Sequence, residues 1–200
     1  MRTCLSSLLL LAACAMAAQN TLDGTAARIP EEEALRQSDF IAAETQRILG
    51  RYDKAIELHE KFLRENPNHS AAWHGLARAH RQNNDLASAI AAMQKACAIE
   101  EKHIGYLNYL VELYEEAGQY RDAVGALEKL AKLEPNNPAP LRRLAAAQLM
   151  IENPKAALKS LDQAEKIGGI TEKGSLAKFA IYQKLDDRKR AVAELQRLIE

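Results

Sequence analysis

Two hundred residues, 48% hydrophobic and 27% charged, have the composition of a soluble chain of one or two domains. Lys and Arg number 27 against 27 Asp and Glu, so no global field draws the chain to nucleic acid or an anionic membrane surface. Nine Gly and six Pro exclude a linker or collagen-like chain, while aromatics make up 5% and Ala supplies 36 residues, a mix that suits thin, closely stacked helices.

Residues 1–18 open with a single charge, Arg2, continue through Leu5 and the run Leu8 to Leu11, and end in small residues. A short basic start, an apolar middle and a small-residue end make a bacterial secretory signal. The apolar run is shorter than the roughly 20 residues that a spanning helix needs. Within it, Leu11-Ala12-Ala13-Cys14 resembles the lipobox of bacterial lipoproteins. That resemblance implies removal of residues 1–13 and lipidation of Cys14, which several acyl chains would then hold firmly at a membrane. Ala15, a residue other than Asp after the cysteine, implies outer-membrane sorting on the periplasmic side. The alternative is general cleavage near Ala15-Met16-Ala17, which would release a soluble periplasmic protein. Residues 14–35 follow as lipidated N-terminus and tether, polar from Gln19 to Pro30 and without a helical apolar stripe. Cys97 is then the one thiol left, on an Ala-rich helix face where a buried structural cysteine is expected.

From Arg36 onward the chain repeats itself every 34 residues. One column reads Ala55, Ala89, Ala123, Ala157 and Ala191, and the next position reads Ile56, Ile90, Val124, Leu158 and Val192. A further column reads His59, Met93, Leu127, Leu161 and Leu195. Each period holds two amphipathic helices, as in Leu107, Leu110, Val111 and Tyr114 followed by Ala123, Val124, Leu127 and Leu130. Gly50, Asn83-Asn84-Asp85, Gly118, Asn153-Pro154 and Asp186-Asp187 break the pair inside each unit. Asn153 before Pro154 predicts a helix start, and Ser70 is placed to cap the helix that carries Trp73.

A 34-residue helix–turn–helix with Trp73-His74-Gly75-Leu76-Ala77, with Gly118-Gln119-Tyr120-Arg121-Asp122-Ala123 and with terminal Pro67 and Pro135 resembles the tetratricopeptide repeat (TPR) family. The resemblance implies an all-α, right-handed superhelical solenoid of about five TPR helix-turn-helix units, at 36–69, 70–103, 104–137, 138–171 and 172–200. Ser175 and Lys178 stand where the last unit would carry Trp- and Leu-like residues, and Gly168-Gly169 replaces the closing Pro of the fourth unit. A junction more bent than the others is expected there. On the last helix Ala191, Val192, Leu195, Leu198 and Ile199 form one side and Arg190, Glu194, Arg197 and Glu200 the other. The polar side would cap the array, and Val192, Leu195 and Ile199 would offer a face for a partner or a second copy.

No phosphate loop, paired nucleophile and base, or metal-ligand spacing appears among the five histidines and the cysteines, so neither an enzyme nor a metal or cofactor site is expected. His59 and His80 fall in core columns, and His69 and His103 in turns between units. The family's usual peptide-binding surface is the concave face, lined by the first helix of each unit. Carried onto this chain, the groove positions are His74, Gly75, Arg78 and Arg81, then Asn108, Tyr109, Glu112 and Glu115, then Arg142, Arg143, Ala146 and Met150. Two basic clusters flanking an acidic one suit a protein or peptide segment of mixed charge. Glu112, Glu115 and Glu116 interrupt any basic track for nucleic acid. The family's carboxylate clamp is not expected either, since its positions here hold His74, Arg78, Tyr109, Ala139 and Arg143. The resulting expectation is a non-catalytic adaptor of the bacterial cell envelope, tied to the membrane through its lipid alone.

Overall fold

The computed structural model describes the backbone of residues 31–198 and the side chains of residues 38–198. Cys14, the signal segment, residues 14–30 of the tether and Ile199 lie outside the described residues. The chain divides into two compact units, 1–39 and 40–200, and the second holds the repeats.

The described residues form ten helices and no strand. They are α1 (Glu31–Ile48), α2 (Tyr52–Glu65), α3 (Ser70–Gln82), α4 (Leu86–Ile99) and α5 (Ile104–Glu116), then α6 (Tyr120–Leu133), α7 (Ala139–Met150), α8 (Pro154–Gly168), α9 (Glu172–Lys184) and α10 (Arg188–Gln196). From α2 onward each helix packs against the next in chain order, the arrangement of an all-α solenoid.

The 34-residue period is visible in the turns as well as in the core. Gly50, Asn84, Gly118, Glu152 and Asp186 all adopt positive φ, between 54° and 74°, so each intra-unit turn reverses through one left-handed residue. One position later, Asp85, Asn153 and Asp187 accept a backbone N–H from the first turn of α4, α8 and α10. The first helices have a second capping column. His69 Nδ1 accepts from Ala72 N at 3.1 Å and His103 Nδ1 from Tyr106 N at 3.1 Å, and Thr171 Oγ1 accepts from Gly174 N. Ser70, expected to cap α3, is instead its first residue, and the preceding histidine ring supplies the acceptor. His69 sits against Phe62 at 5.1 Å between ring centroids, which positions the imidazole for that role.

Alanine columns make the close packing possible: Ala55, Ala77, Ala89, Ala123 and Ala157 are all fully buried. One continuous core runs from Phe62 through Met93, Leu113 and Leu127 to Leu144 and Ala164. Trp73 lies at its edge and donates Nε1–H to Pro67 O at 2.7 Å, pinning the turn between the first two units. A separate, smaller core of Ala145, Ala157, Leu161 and Ile181 joins the fourth and fifth units.

That last junction is polar where those among the second, third and fourth units are apolar. Ser175 and Lys178 are both buried, and Lys178 Nζ pairs with Asp162 at 2.6 Å and with Glu165. Arg197 pairs with Glu165 and, at 3.2 Å, with Glu194. The division expected for α10 is therefore corrected. Glu194 is buried at 7% exposure, because it faces this cationic centre, while Val192 is 52% exposed. Leu195 is half-buried, so the expected docking side is not a continuous apolar face among the described residues.

Candidate functional site

The first helices of successive units, α1, α3, α5 and α7, carry a band of charged and aromatic side chains. Its links recur at a spacing of 35 residues. Arg47 Nη1 donates to Gln82 Oε1 at 3.1 Å, Arg81 Nε to Glu116 Oε2 at 2.8 Å, and Arg143 Nη1 to Asn108 Oδ1 at 3.3 Å. Consecutive first helices run side by side, so a residue and its counterpart one unit plus one position later face each other across the gap. Further pairs reinforce each step: Arg81 with Glu112 at 3.5 Å, Arg143 with Glu115 at 2.8 Å, and Arg78 with Glu44 at 4.0 Å.

An aromatic and cationic patch sits mid-band. The His74 ring stands perpendicular to Tyr109 at 5.2 Å, and the Arg81 guanidinium lies over the Tyr109 ring at 5.4 Å. Burial, followed by the nearby Arg78 charge, pushes the His74 pKa below its ordinary value. His74 therefore presents a neutral ring at pH 7. Interaction with the Tyr109 hydroxyl, followed by the Glu116 charge, raises the already high Arg81 pKa against the cost of burial.

Seven of the groove positions expected from the sequence come together here: His74, Arg78 and Arg81 on α3; Asn108, Tyr109 and Glu115 on α5; and Arg143 on α7. Glu112 joins them through Arg81. Ala146 is exposed on α7, and the other three go elsewhere. Arg142 turns toward the junction of α8 with α9, where its Nη2 would stand 3.1 Å from a Cβ on Gly168. Met150, 58% exposed, borders the turn at Gly118–Tyr120. Gly75 is not groove-facing but buried. A Cβ there would lie 2.5 Å from His59 Cε1 and 2.7 Å from Glu44 Oε1, so Gly75 is what lets α3 approach α1 and α2.

Glu44 and Arg47 extend the band and were missed in the sequence, while Glu116, expected there only as an interruption of a basic track, pairs with Arg81. Their signal was the opposed polarity at 35 residues, which a search at the 34-residue period does not show. Arg47 is buried at 7% and holds Glu44 with two nitrogens. Close contact with His59, whose Nε2 lies 3.3 Å from Glu44 Oε1, and the Arg47 guanidinium together lower the Glu44 pKa to about 2. Cys97 is half-buried rather than fully enclosed, and burial pushes its thiol up to about 11, which makes it a poor nucleophile.

No group of three His, Cys, Asp or Glu side chains that could hold a metal occurs among the described residues. Nor is any described helix long and apolar enough to cross a membrane.

Family comparison agrees with the geometry of paired helices in a 34-residue period. Two models described as tetratricopeptide repeat match residues 42–102 and 114–168. The chain carries tetratricopeptide repeats. A curated relative, the small glutamine-rich tetratricopeptide repeat-containing protein 2 of Mycosarcoma maydis, is 28% identical over 121 residues, 60% of this chain. The chain spans about a third (34%) of that relative's length. Among solved structures, the crystal structure of MamA protein superposes with a TM-score of 0.66 at 16% identity, covering 80% of this chain and 88% of its own. MamA 41-end from Desulfovibrio magneticus RS-1 gives 0.62 at 15%, covering 82% and 93%. These likenesses establish the TPR solenoid fold. A TPR solenoid is in general a non-catalytic protein-interaction scaffold.

Proposed function

We propose that this TPR protein is an adaptor of the bacterial cell envelope that binds a protein segment of mixed charge along the concave face of α3, α5 and α7. The observation that carries the reading is the His74–Tyr109–Arg81 patch set within a band of paired charges. Arginines and glutamates that already neutralise one another present alternating donors and acceptors, so a segment of mixed charge can exchange partners without leaving a buried charge unpaired. The half-buried Tyr109 supplies a rigid anchor between them.

The envelope location rests on residues 1–18, and anchoring at the outer membrane on the Leu11-Ala12-Ala13-Cys14 sequence. The second reading, favoured by the Ala15-Met16-Ala17 sequence, is a soluble periplasmic chaperone-like module. Mass spectrometry of the mature N-terminus separates them. A triacylated Cys14 supports the adaptor at the membrane, and an unmodified N-terminus near Ala18 supports the soluble form. Groove binding is tested by crosslinking and pull-down from membranes. Tyr109→Ala combined with Arg143→Glu is expected to abolish capture of the co-purifying partner, and undiminished capture would remove the concave face from the reading.

A further inference from the structure

The second helices of the units are separated by grooves on the side away from the charged band, and two of these grooves are repeat equivalents. The first, about 550 Å³, lies between α4 and α6 over Leu107, Leu110 and Tyr114 of α5. The second, about 810 Å³, lies between α6 and α8 over Leu141, Leu144 and Gln148 of α7. Each floor residue of the second stands 34 positions after its counterpart in the first. The scaffold that makes the two grooves is therefore the same, and what differs is chemistry that the scaffold does not require.

In the first groove the charges balance, Arg121 and Lys129 against Glu101 and Asp122. In the second, Lys132, Lys159 and Lys166 face a single carboxylate, Glu128. Lys132 and Lys159 stand where the first groove has Ala98 and Gly125. None of the three lysines has an ion pair among the described residues, and all three are exposed. The floor of the same groove is apolar, with Leu141 and Leu144 buried and Ile167 at the rim 40% exposed. Its polar element is already satisfied, because Ser160 Oγ donates to Gln148 Oε1 at 2.8 Å. An unneutralised cationic rim over an apolar trough fits an acidic segment that also carries apolar side chains. The trough is recessed between two helices, so a peptide can reach its floor and a flat bilayer cannot.

We infer that the groove between α6 and α8 is a second protein-binding site, which takes an acidic amphipathic helical segment of a partner protein. Such a segment lays its leucine-like face on Leu141 and Leu144 and its carboxylates against Lys132, Lys159 and Lys166. A TPR scaffold with sites on both faces would bridge two partners rather than hold one.

The test uses the full-length protein and a fluorescein-labelled 15-residue peptide with leucines at helical spacing and glutamates elsewhere. Its control carries lysines in place of the glutamates. Fluorescence anisotropy should show saturable binding of the acidic peptide, weakened at least tenfold by Lys159→Glu with Lys166→Glu. Gln163→Trp, which fills the groove from an exposed position, should weaken it similarly. Tyr109→Ala with Arg143→Glu should leave it unchanged, which separates this site from the concave one. Thermal melts of each variant matching the parent would confirm that the fold is kept. Equal binding of the lysine peptide, insensitivity to both groove variants, or loss only in the concave variant would each overturn the inference. So would failure of the acidic peptide to bind while vesicles of phosphatidylglycerol do.

Discussion

Two helical glycines show how far a residue's meaning depends on what surrounds it. Gly75 and Gly125 both lie inside helices, where alanine is intrinsically better by about 1 kcal/mol. At Gly125 a Cβ would meet nothing within 4 Å, so Gly125→Ala should stabilise the protein by up to about 1 kcal/mol. At Gly75 the Cβ would stand 2.5 Å from the fully buried His59 ring, and Gly75→Ala should destabilise by about 1–3 kcal/mol despite the propensity gain. Urea melts of the two variants should move in opposite directions. The turn column gives a second residue-scale prediction. Glu152 holds φ at 57°, a region that costs an L side chain roughly 1–2 kcal/mol and costs glycine little. Glu152→Gly should therefore raise the urea midpoint, glycine being the residue that positions 50 and 118 already carry at the same place in their turns. An unchanged or lowered midpoint would show that the Glu152 side chain makes up the strain.

At the scale of elements, α9 and α10 are the helices whose attachment differs in kind. Among the second, third and fourth units a second helix meets the next unit largely through apolar side chains, whereas here Lys178 is buried among Asp162, Glu165 and Glu194. Burial disfavours the charged form of Glu165, but hydrogen bonds from Lys178 and Arg197 outweigh it and the pKa falls below 4.5. Burial likewise works against Lys178, and its bonds to Asp162 and Glu165 raise its pKa above 10.5. Glu165→Gln keeps the shape and removes the charge, and should weaken docking of α9 and α10 by about 1–3 kcal/mol. Hydrogen exchange would rise in 172–196 and stay unchanged in 86–133. A uniform rise along the chain would mean that the repeats open as one block rather than unit by unit.

For the molecule as a whole, the charged sites lie at both ends of the continuous apolar core. Glu44 has its pKa lowered to about 2 from 4.5, and Glu165 is also lowered. A carboxylate lowered in the folded state contributes stability above its unfolded value and loses that contribution as pH falls. For Glu44 the loss runs from about pH 4.5 down to about pH 2. Acid should therefore open the array from its ends, at α1–α3 and at α9–α10. The core from Met93 to Leu130, which holds no comparable pair, should retain protection longest. Exchange measured at pH 7 and again at pH 3 tests this, and simultaneous loss throughout would contradict it.

The repeat was legible in the sequence because packing and turns obey one period. Columns of Ala at 55, 89, 123, 157 and 191 and the breakers between them define helix number, order and spacing without reference to anything distant in the chain. Much of the charged band was legible too, since a helix face follows from position within the unit. Gly75, Arg142 and Met150 were misplaced because their surroundings come from other helices: His59 below Gly75, Gly168 beside Arg142 and the Gly118 turn beside Met150. The sequence by itself determined a five-unit helical array, since local periodicity dictates local structure and adjacent units bury one another. Only the tertiary structure decided which charges meet, because a contact between residues 35 apart depends on how neighbouring helices align. It likewise turned Glu194 inward and left Lys132, Lys159 and Lys166 without an ion pair among the described residues, outcomes set by the whole neighbourhood of each side chain rather than by its place in the repeat.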